Sequence, residues 1–286
     1  MELLPDLLSD ALIDTLKLLP LLFLTYLLME YIEHKGAEKM ERAIRRSGRF
    51  GPAFGSLLGL VPQCGFAGAA AGLFSGRMIT PGSLLAIFLA TSDEMLPVMI
   101  SAAAPLSTIG RVLAAKLAVA LFMGFVLDAL MAKRRAFDKD RVCTMCQREG
   151  CGCHEHGIWR AALNHSLKIS LFIFIICLFL NAILEFSGLA DMSGSILNTP
   201  VAGVLIVALV GLIPNCTPSV AITTLYLEGA LGSGAMLAGL LTNAGMGLLV
   251  LYRTNPDWKE NLRFTVLLYC SGVIFGLLVG LLGISF

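Results

Sequence analysis

Two cysteine-containing motifs interrupt apolar stretches at corresponding places in the sequence. VPQCG lies at 61–65 and IPNCTPS at 213–219, and both follow a Pro-x-Cys pattern. Proline and glycine end helices and free backbone polar groups, while cysteine offers a soft sulfur ligand. A single motif of this kind would more simply pack a hairpin tip, but its recurrence favours a shared binding site. The residues predicted to bind substrate here are Gln63, Cys64, Asn215, Cys216, Thr217 and Ser219.

A second polar interruption, TSDE at 91–94, is matched in the other half of the chain by TNAG at 242–245. An ionisable side chain within an apolar span costs about 2.5–3.5 kcal/mol and is functional by default. The two acids lack acidic counterparts, because Gly245 and Met246 stand in their places. The alternative is a pair of acids hydrogen-bonded to the backbone at a helix break. The binding residues predicted from this motif are Thr91, Ser92, Asp93, Glu94, Thr242 and Asn243.

Four ionisable residues are candidates for carrying protons through the apolar part of the chain. Asp93 and Glu94 are the stronger pair because they lie far from both ends of their apolar run. Asp14 and His165 occupy corresponding places, each three residues before a lysine. They are weaker candidates, since polar groups near span ends usually act as interfacial anchors or helix caps.

The polar loop CTMCQREGCGCHEH at 143–156 has the composition of a metal-binding segment. Its C-x-x-C pair can close on a tetrahedral ion, and the loop holds more ligands than the four that a structural zinc needs. The predicted ligands are Cys143, Cys146, Cys151, Cys153, His154 and His156. A reduced thiol loop without metal is the alternative. The loop is too short to be a catalytic domain, so we expect it to collect or sense zinc or another transition metal, and no other cofactor is predicted.

The overall composition excludes an ordinary soluble domain. Hydrophobic residues make up 57% of the 286 residues and charged residues only 14%, with a mean hydropathy of +0.81. Globular chains are about 45–50% apolar and about 25% charged. We therefore predict an all-α polytopic membrane protein whose first partner is the lipid bilayer. The balance of 21 basic and 20 acidic residues gives no reason to expect a nucleic-acid partner.

Apolar segments of three kinds can be distinguished. Residues 11–32, 106–131, 162–184 and 264–285 are long enough to span in one piece, and 82–104 and 235–252 are candidates with a polar interruption. Residues 52–76 and 200–228 each hold two short apolar pieces, which form either one broken span or a re-entrant hairpin.

Basic residues predict which loops face the cytoplasm. They concentrate in 34–49, 132–160 and 253–263 and are missing from 1–10 and 185–199. By the positive-inside rule, the basic loops and the Cys/His loop are cytoplasmic and both termini lie outside the plasma (inner) membrane. An odd number of crossings between residues 49 and 105 then favours a hairpin at 52–76.

The two halves of the chain align with one another. A shift of 152 residues places Gly59 on Gly211, Cys64 on Cys216 and Arg111 on Arg263. Each half crosses three times, so the second copy must be inverted, which is the architecture of secondary transporters. The predicted domains are a first transmembrane repeat at 1–132, the Cys/His loop at 133–158 and a second repeat at 159–286. Each repeat has three spans and a hairpin, which makes ten helical segments.

The sequence resembles a family of ten-segment heavy-metal exporters, described variously as arsenic efflux proteins or manganese transporters. The similarity lies in VPQCGF (61–66), TSDE (91–94), the ligand-rich loop with HGIWRAALNHSLKI (156–169), and IPNCTPS (213–219). The resemblance covers nearly the whole chain and implies efflux of a metal or metalloid ion.

The leading hypothesis is a secondary-active exporter of manganese, zinc or cadmium, or arsenite, driven by proton antiport. The sequence lacks the G-x-x-x-x-G-K-[ST] pattern that would suggest ATP hydrolysis and the HExxH motif that would suggest a metallohydrolase. An enzyme is therefore not expected. The alternatives are a transporter of a small organic anion and a membrane metal sensor that transports nothing. The particular ion and the oligomeric state, including a homo-oligomer, are left open.

The composition of the Cys/His loop leads to a testable prediction. The isolated segment 138–157 should bind about one zinc-like ion through thiolates and release protons as it does so, measured by metal titration with a pH indicator. Serine at all four cysteines should remove this binding. In the full chain the same changes should weaken the response to low metal but preserve transport at saturating metal. Complete loss of that transport in a normally inserted protein would contradict an auxiliary role for the loop.

Overall fold

The computed structural model of the protein describes residues 50–60, 64–92, 95–131, 201–215 and 217–286, with single positions at 20, 23, 24, 27, 159, 163, 167, 171, 174 and 175. Every regular element in this part of the chain is helical, as predicted. Its continuous helices are α1 (Gly51–Gly59), α2 (Cys64–Ser75), α3 (Pro81–Ala90), α4 (Met95–Ser101), α5 (Leu106–Leu130), α6 (Ala202–Gly211), α7 (Thr217–Leu227), α8 (Ser233–Thr242), α9 (Gly247–Thr254) and α10 (Trp258–Leu281).

Four helical stretches in the described part are long and apolar enough to cross a membrane. They are Pro81–Ser101, Leu106–Leu130, Ser233–Thr254 and Trp258–Leu281. The prediction of a membrane protein with spans near 82–104, 106–131, 235–252 and 264–285 is confirmed at this level. The last helix begins earlier than predicted, because Asp257 caps it by accepting the backbone N–H of Glu260 at 3.3 Å. The predicted spans 11–32 and 162–184 lie almost entirely outside the described residues.

Both predicted interruptions of long spans are present as helix breaks. The first lies between α3 and α4, and the second between α8 and α9. At the second break Asn243 has an extended backbone (φ −76°, ψ 93°), and Gly245 has a φ of +51°, a conformation that glycine adopts at little cost. The two Pro-x-Cys motifs also coincide with junctions between helices, since α1 ends at Gly59 and α2 begins at Cys64, while α6 ends at Gly211 and α7 begins at Thr217.

A buried acid anchors the start of α3. Thr80 caps the helix by accepting the Ser83 N–H at 3.1 Å, and its hydroxyl donates to Asp128 Oδ2 at 2.8 Å. The Gly82 N–H donates to Asp128 Oδ1 at 2.9 Å. A carboxylate at a helix N-terminus is favourable because the helix dipole is positive there. The end of α5 therefore fixes the position from which α3 runs towards its break.

Glycine residues let α3 pack closely against α1 and α5. A Cβ added at Gly59 would lie 2.7 Å from the Ile87 carbonyl oxygen, and one added at Gly124 would lie 2.9 Å from the Ala86 Cβ and the Gly82 carbonyl oxygen. Helices in membranes associate through such small residues, because lipid offers no hydrophobic drive to bring them together.

The second half repeats these contacts. A Cβ at Gly276 would lie 2.6 Å from the Ala238 Cβ and 2.7 Å from the Gly234 carbonyl oxygen, and all three residues are 152 positions after their counterparts. Arg77 and Gly229 are also 152 apart, and both have positive φ angles, 58° and 75°. The register of 152 continues through the breaks, so TSDE corresponds to 243–246 rather than to TNAG at 242–245.

The described core has two apolar clusters. One packs α2, α3, α9, the later part of α5 and the first half of α10, with Phe74, Phe88 and Leu268 fully buried. The other packs α4, α6, α7 and much of α8 around Met95 and Met236. Helix α5 contributes residues to both clusters, and the buried Lys116 lies between the two sets of residues.

The glycine contacts generate a prediction about stability. Gly276→Ala should destabilise the protein by about 1–3 kcal/mol, because its methyl group overlaps the backbone of α8, and Gly124→Ala should behave similarly. The control is Gly110→Ala in α5, where a Cβ meets nothing within 4 Å. It should leave Tm unchanged or raise it, since alanine is favoured over glycine in helices. Equal Tm values for all three purified variants would contradict the close packing.

Candidate functional site

Buried polar side chains gather at and beside the helix breaks of both halves. We call this set the polar centre, and every member is at most 3% exposed. Its members are Thr91, Ser92, Lys116, Asn215, Ser219, Thr242 and Asn243. Six of them are residues that the sequence analysis predicted to bind substrate. Their burial away from the surface is the environment expected of an internal binding site.

A lysine links the two broken spans. Lys116 lies in α5 and is 1% exposed. Its ammonium donates to the carbonyl oxygen of Thr91, just after α3, and to the carbonyl oxygen of Leu240 in α8 at 2.9 Å. The break of the first half and the break of the second half are therefore held beside one another.

The helices that follow the breaks pack in pairs. A Cβ at Gly247, the first residue of α9, would lie 2.8 Å from the Ala67 Cβ in α2 and 2.7 Å from the Phe88 ring. The beginnings of α2 and α9 are thus side by side, and α7 packs against α4 in the equivalent arrangement. Each half-helix that starts after a break is paired with one from the other half.

Three hydroxyl groups of the polar centre are donors to helix-end carbonyls. Thr91 Oγ1 donates to Ile87 at 2.7 Å, and Ser92 Oγ donates to Ala90 at 3.1 Å. Thr242 Oγ1 contacts the carbonyl oxygens of Ala208 and Gly239 at 2.8 and 3.0 Å. The Ile87 and Gly239 carbonyl oxygens also accept the backbone N–H groups of Thr91 and Asn243, both at 3.0 Å. The hydroxyls therefore add second hydrogen bonds at these helix ends, since a carbonyl oxygen has two lone pairs. Only their oxygen lone pairs are left to contact a substrate.

Two polar atoms of the centre have no hydrogen-bond partner. They are Ser219 Oγ and Asn243 Nδ2, the buried side-chain nitrogen or oxygen atoms left unpaired within the described part of the chain. The orientation of the Asn243 amide is set by Oδ1, which accepts the Gly245 N–H at 2.9 Å, so Nδ2 is the free donor. A buried unpaired group costs about 1–3 kcal/mol, and such groups are explained when a ligand supplies the missing partner.

The other predicted residues are placed as follows. Asn215 is fully buried, while Thr217 begins α7 with an exposed side chain. The remaining positions lie outside the described side chains: Gln63, Cys64, Asp93, Glu94, Cys216, Asp14, His165, Cys143, Cys146, Cys151, Cys153, His154 and His156. Among the side chains that are described, no group of three or more His, Cys, Asp or Glu is placed to hold a metal ion.

Sequence reasoning missed two buried charged residues. Lys116 and Asp128 both lie within the predicted span 106–131 and are 1% and 2% exposed. The rule applied to Asp93 and Glu94, that a charge within an apolar span is functional by default, would have identified both. The structure separates their roles, because Asp128 anchors a helix start while Lys116 lies at the breaks.

The comparisons with known proteins agree with the motif-based resemblance. Residues 4–197, more than half of the chain, match the family described as "Putative, 10TM heavy-metal exporter". The matched range includes VPQCG, TSDE and the Cys/His loop and ends before IPNCTPS. Searches of the curated proteins and of the solved structures found no match. The chain, with its membrane-spanning helices and its buried polar centre, belongs to this family of ten-segment heavy-metal exporters.

Proposed function

We propose that the protein is a secondary-active transporter that carries a heavy-metal or metalloid ion out of the cytoplasm through its polar centre. One observation carries the proposal: helix breaks from both halves meet at a buried lysine, and two buried polar atoms at or beside the breaks lack partners in the described part of the chain. A transporter needs polar groups at a depth where neither surface supplies water. In secondary transporters, such sites form where discontinuous helices of two repeats meet near the midplane.

The inverted arrangement of the two halves is part of this proposal. Ser75 at the end of α2 contacts Thr254 at 2.6 Å, and Arg77 pairs with Glu260 at 2.7 Å, close to the start of α10. The equivalent hairpin helix α7 ends near the opposite end of α10, because the Tyr226 hydroxyl donates to the Phe286 carbonyl at 2.8 Å. Equivalent helices that end at opposite ends of one long span support two inverted copies.

The unpartnered N–H donor of Asn243 favours some kinds of cargo over others. An amide N–H cannot coordinate a bare cation, so Nδ2 favours a cargo that carries an acceptor oxygen, such as arsenite or a hydroxide-bearing metal ion. The two Pro-x-Cys sulfurs suit arsenite, zinc or cadmium, while carboxylates and freed carbonyls suit manganese. The same free donor would serve a small organic anion, which is therefore the second candidate cargo.

Proton coupling is assigned to Asp93 and Glu94. A carboxylate that binds a cation must lose its proton, and release of the cation on the other side allows the proton to return. Alternation between these two states exchanges metal for protons. The second half has no acids at the corresponding positions, so the coupling group would belong to the first half alone.

Flux into proteoliposomes tests the function directly. Manganese, zinc, cadmium and arsenite should be screened with and without a pH gradient, and at least one should accumulate against its gradient only when the pH gradient is present. If none of these ions moves while a small organic anion does, the second candidate replaces the first.

The acids generate a prediction about coupling. Asp93→Asn should abolish proton-driven accumulation, and Glu94→Gln should do the same if Glu94 is a ligand rather than a helix cap. Binding should weaken on acidification between about pH 5 and 8 in the parent and become flat in the variants, because protons no longer compete with metal. Glu228→Gln, at an exposed loop acid, is the control. Accumulation with unchanged pH dependence in both variants would assign coupling elsewhere, with His165 or Asp14 next.

The unpartnered atoms generate a second prediction. Ser219→Ala should raise the KM for transport about tenfold, the value of one hydrogen bond, without lowering Tm, because no protein hydrogen bond is lost. Asn243→Ala should also raise KM. The control is Thr242→Val, whose missing hydroxyl bonds should lower Tm. If Ser219→Ala lowers Tm and leaves KM unchanged, its hydroxyl serves the fold rather than the cargo.

A further inference from the structure

The ammonium of Lys116 lies between the C-terminal ends of two half-helices. Two of its acceptors are the carbonyl oxygen of Thr91, immediately after α3, and that of Leu240, two residues before the last residue of α8. In a continuous helix the Leu240 carbonyl would accept the Ala244 N–H, but that group donates to Thr242 instead, at 3.0 Å. The Leu240 carbonyl has therefore lost its usual amide donor, and the Thr91 carbonyl belongs to the C-cap of α3, where helical amide donors run out.

Helix C-termini attract cations. Aligned peptide dipoles place about half a negative charge at such an end, and two of them point at one position here. Freed carbonyls and half-helix C-termini are the groups that bind small cations in transporters with broken helices. In this protein the position is filled by the ammonium of the Lys116 side chain.

The equivalent residue of the other half gives a reference. Leu268 lies 152 positions after Lys116, in α10, and is 0% exposed within an apolar cluster. The lysine is thus not a repeated feature of the scaffold. One ammonium serves the ends of both half-helices, since it donates to the C-cap residue of α3 and to a residue in the last turn of α8.

We propose that the two carbonyl ends form a monovalent-cation site and that the Lys116 ammonium is its permanent, tethered occupant. A substitution that removes the Lys116 ammonium but keeps most of the side-chain volume should leave the two carbonyl oxygens facing an empty position. That site should then accept a free cation of similar size, such as ammonium or potassium. One consequence, which rests on the proposed function, is that export needs no free alkali cation, because the ammonium of Lys116 already occupies the site.

The test is the thermal stability of the purified full-length protein without heavy metal. Lys116→Met should lower Tm by about 5–10 °C. Ammonium chloride should restore at least half of that loss, whereas tetramethylammonium chloride at the same ionic strength should restore none, because its methyl groups cannot donate hydrogen bonds. The parent and Leu268→Met should respond equally to both salts. Equal responses of Lys116→Met to the two salts would overturn the proposal.

A second pair of variants covers the case in which Lys116→Met does not fold. Lys116→Arg keeps the charge and should stay near the parent Tm, while Lys116→Gln keeps donors without charge and should be less stable unless ammonium is present. If Lys116→Gln equals the parent, hydrogen bonding rather than charge is what the site needs, and the cation site is refuted.

Transport separates this inference from the proposed function. In proteoliposomes, replacing sodium and potassium with choline should leave the flux of the parent unchanged, and an alkali requirement would refute the tethered cation. Absence of flux with every cargo would refute the proposed function alone, because the stability assay contains no cargo.

Discussion

A helix that breaks inside a bilayer must find partners for the backbone groups it releases, because hydrocarbon supplies none. This constraint shapes the centre of the protein. The side-chain hydroxyls of Thr91 and Ser92 donate to carbonyls in the last turn of α3, and Thr242 bridges the end of α8 to α6. Lys116 contributes to both ends from a third helix. The breaks are stable only in the presence of these neighbours, so the polar centre and the helix packing depend on one another.

Close approach of the helices supplies those neighbours. Glycine contacts bring α3 within reach of α1 and α5, and matching contacts bring α8 within reach of α6 and α10. The distances demand small residues, since an added Cβ would overlap backbone atoms of the adjacent helix. Membrane helices gain stability from such packing rather than from the exclusion of water. A repeated scaffold thereby presents two broken helices to one another in a fixed relation.

The chemistry placed on this scaffold is not repeated. Asp128 anchors the start of α3 where the second half has Gly280, and Lys116 corresponds to Leu268. At the breaks, Thr91 corresponds to Asn243, whose amide keeps a free donor. Two equivalent halves with equivalent side chains would make two equal sites. The differences instead place two buried charges on one half and an unpaired donor on the other, within the described part of the chain.

Much of the fold could be predicted from the sequence, because it depends on local patterns. Apolar length predicts the spans, and proline, glycine and polar interruptions predict the breaks. The repeat in the sequence predicted the equivalence of Gly59 with Gly211, which the packing follows. Ser219 and Asn243, which the sequence predicted as site residues, are buried, whereas Thr217 is exposed. The motif could not distinguish them, because a short motif does not reveal which face of a helix each residue occupies.

Tertiary structure alone decided which groups meet. Lys116 contacts residues 25 and 124 positions away, and Arg77 pairs with Glu260 183 positions away. Local patterns carry no information about such contacts, since they arise only when separate helices pack. The unpartnered hydrogen-bonding groups of Ser219 and Asn243 are likewise properties of the assembled centre. A hydroxyl or an amide has partners in every extended chain exposed to water, and it loses them only where the fold buries it without a replacement.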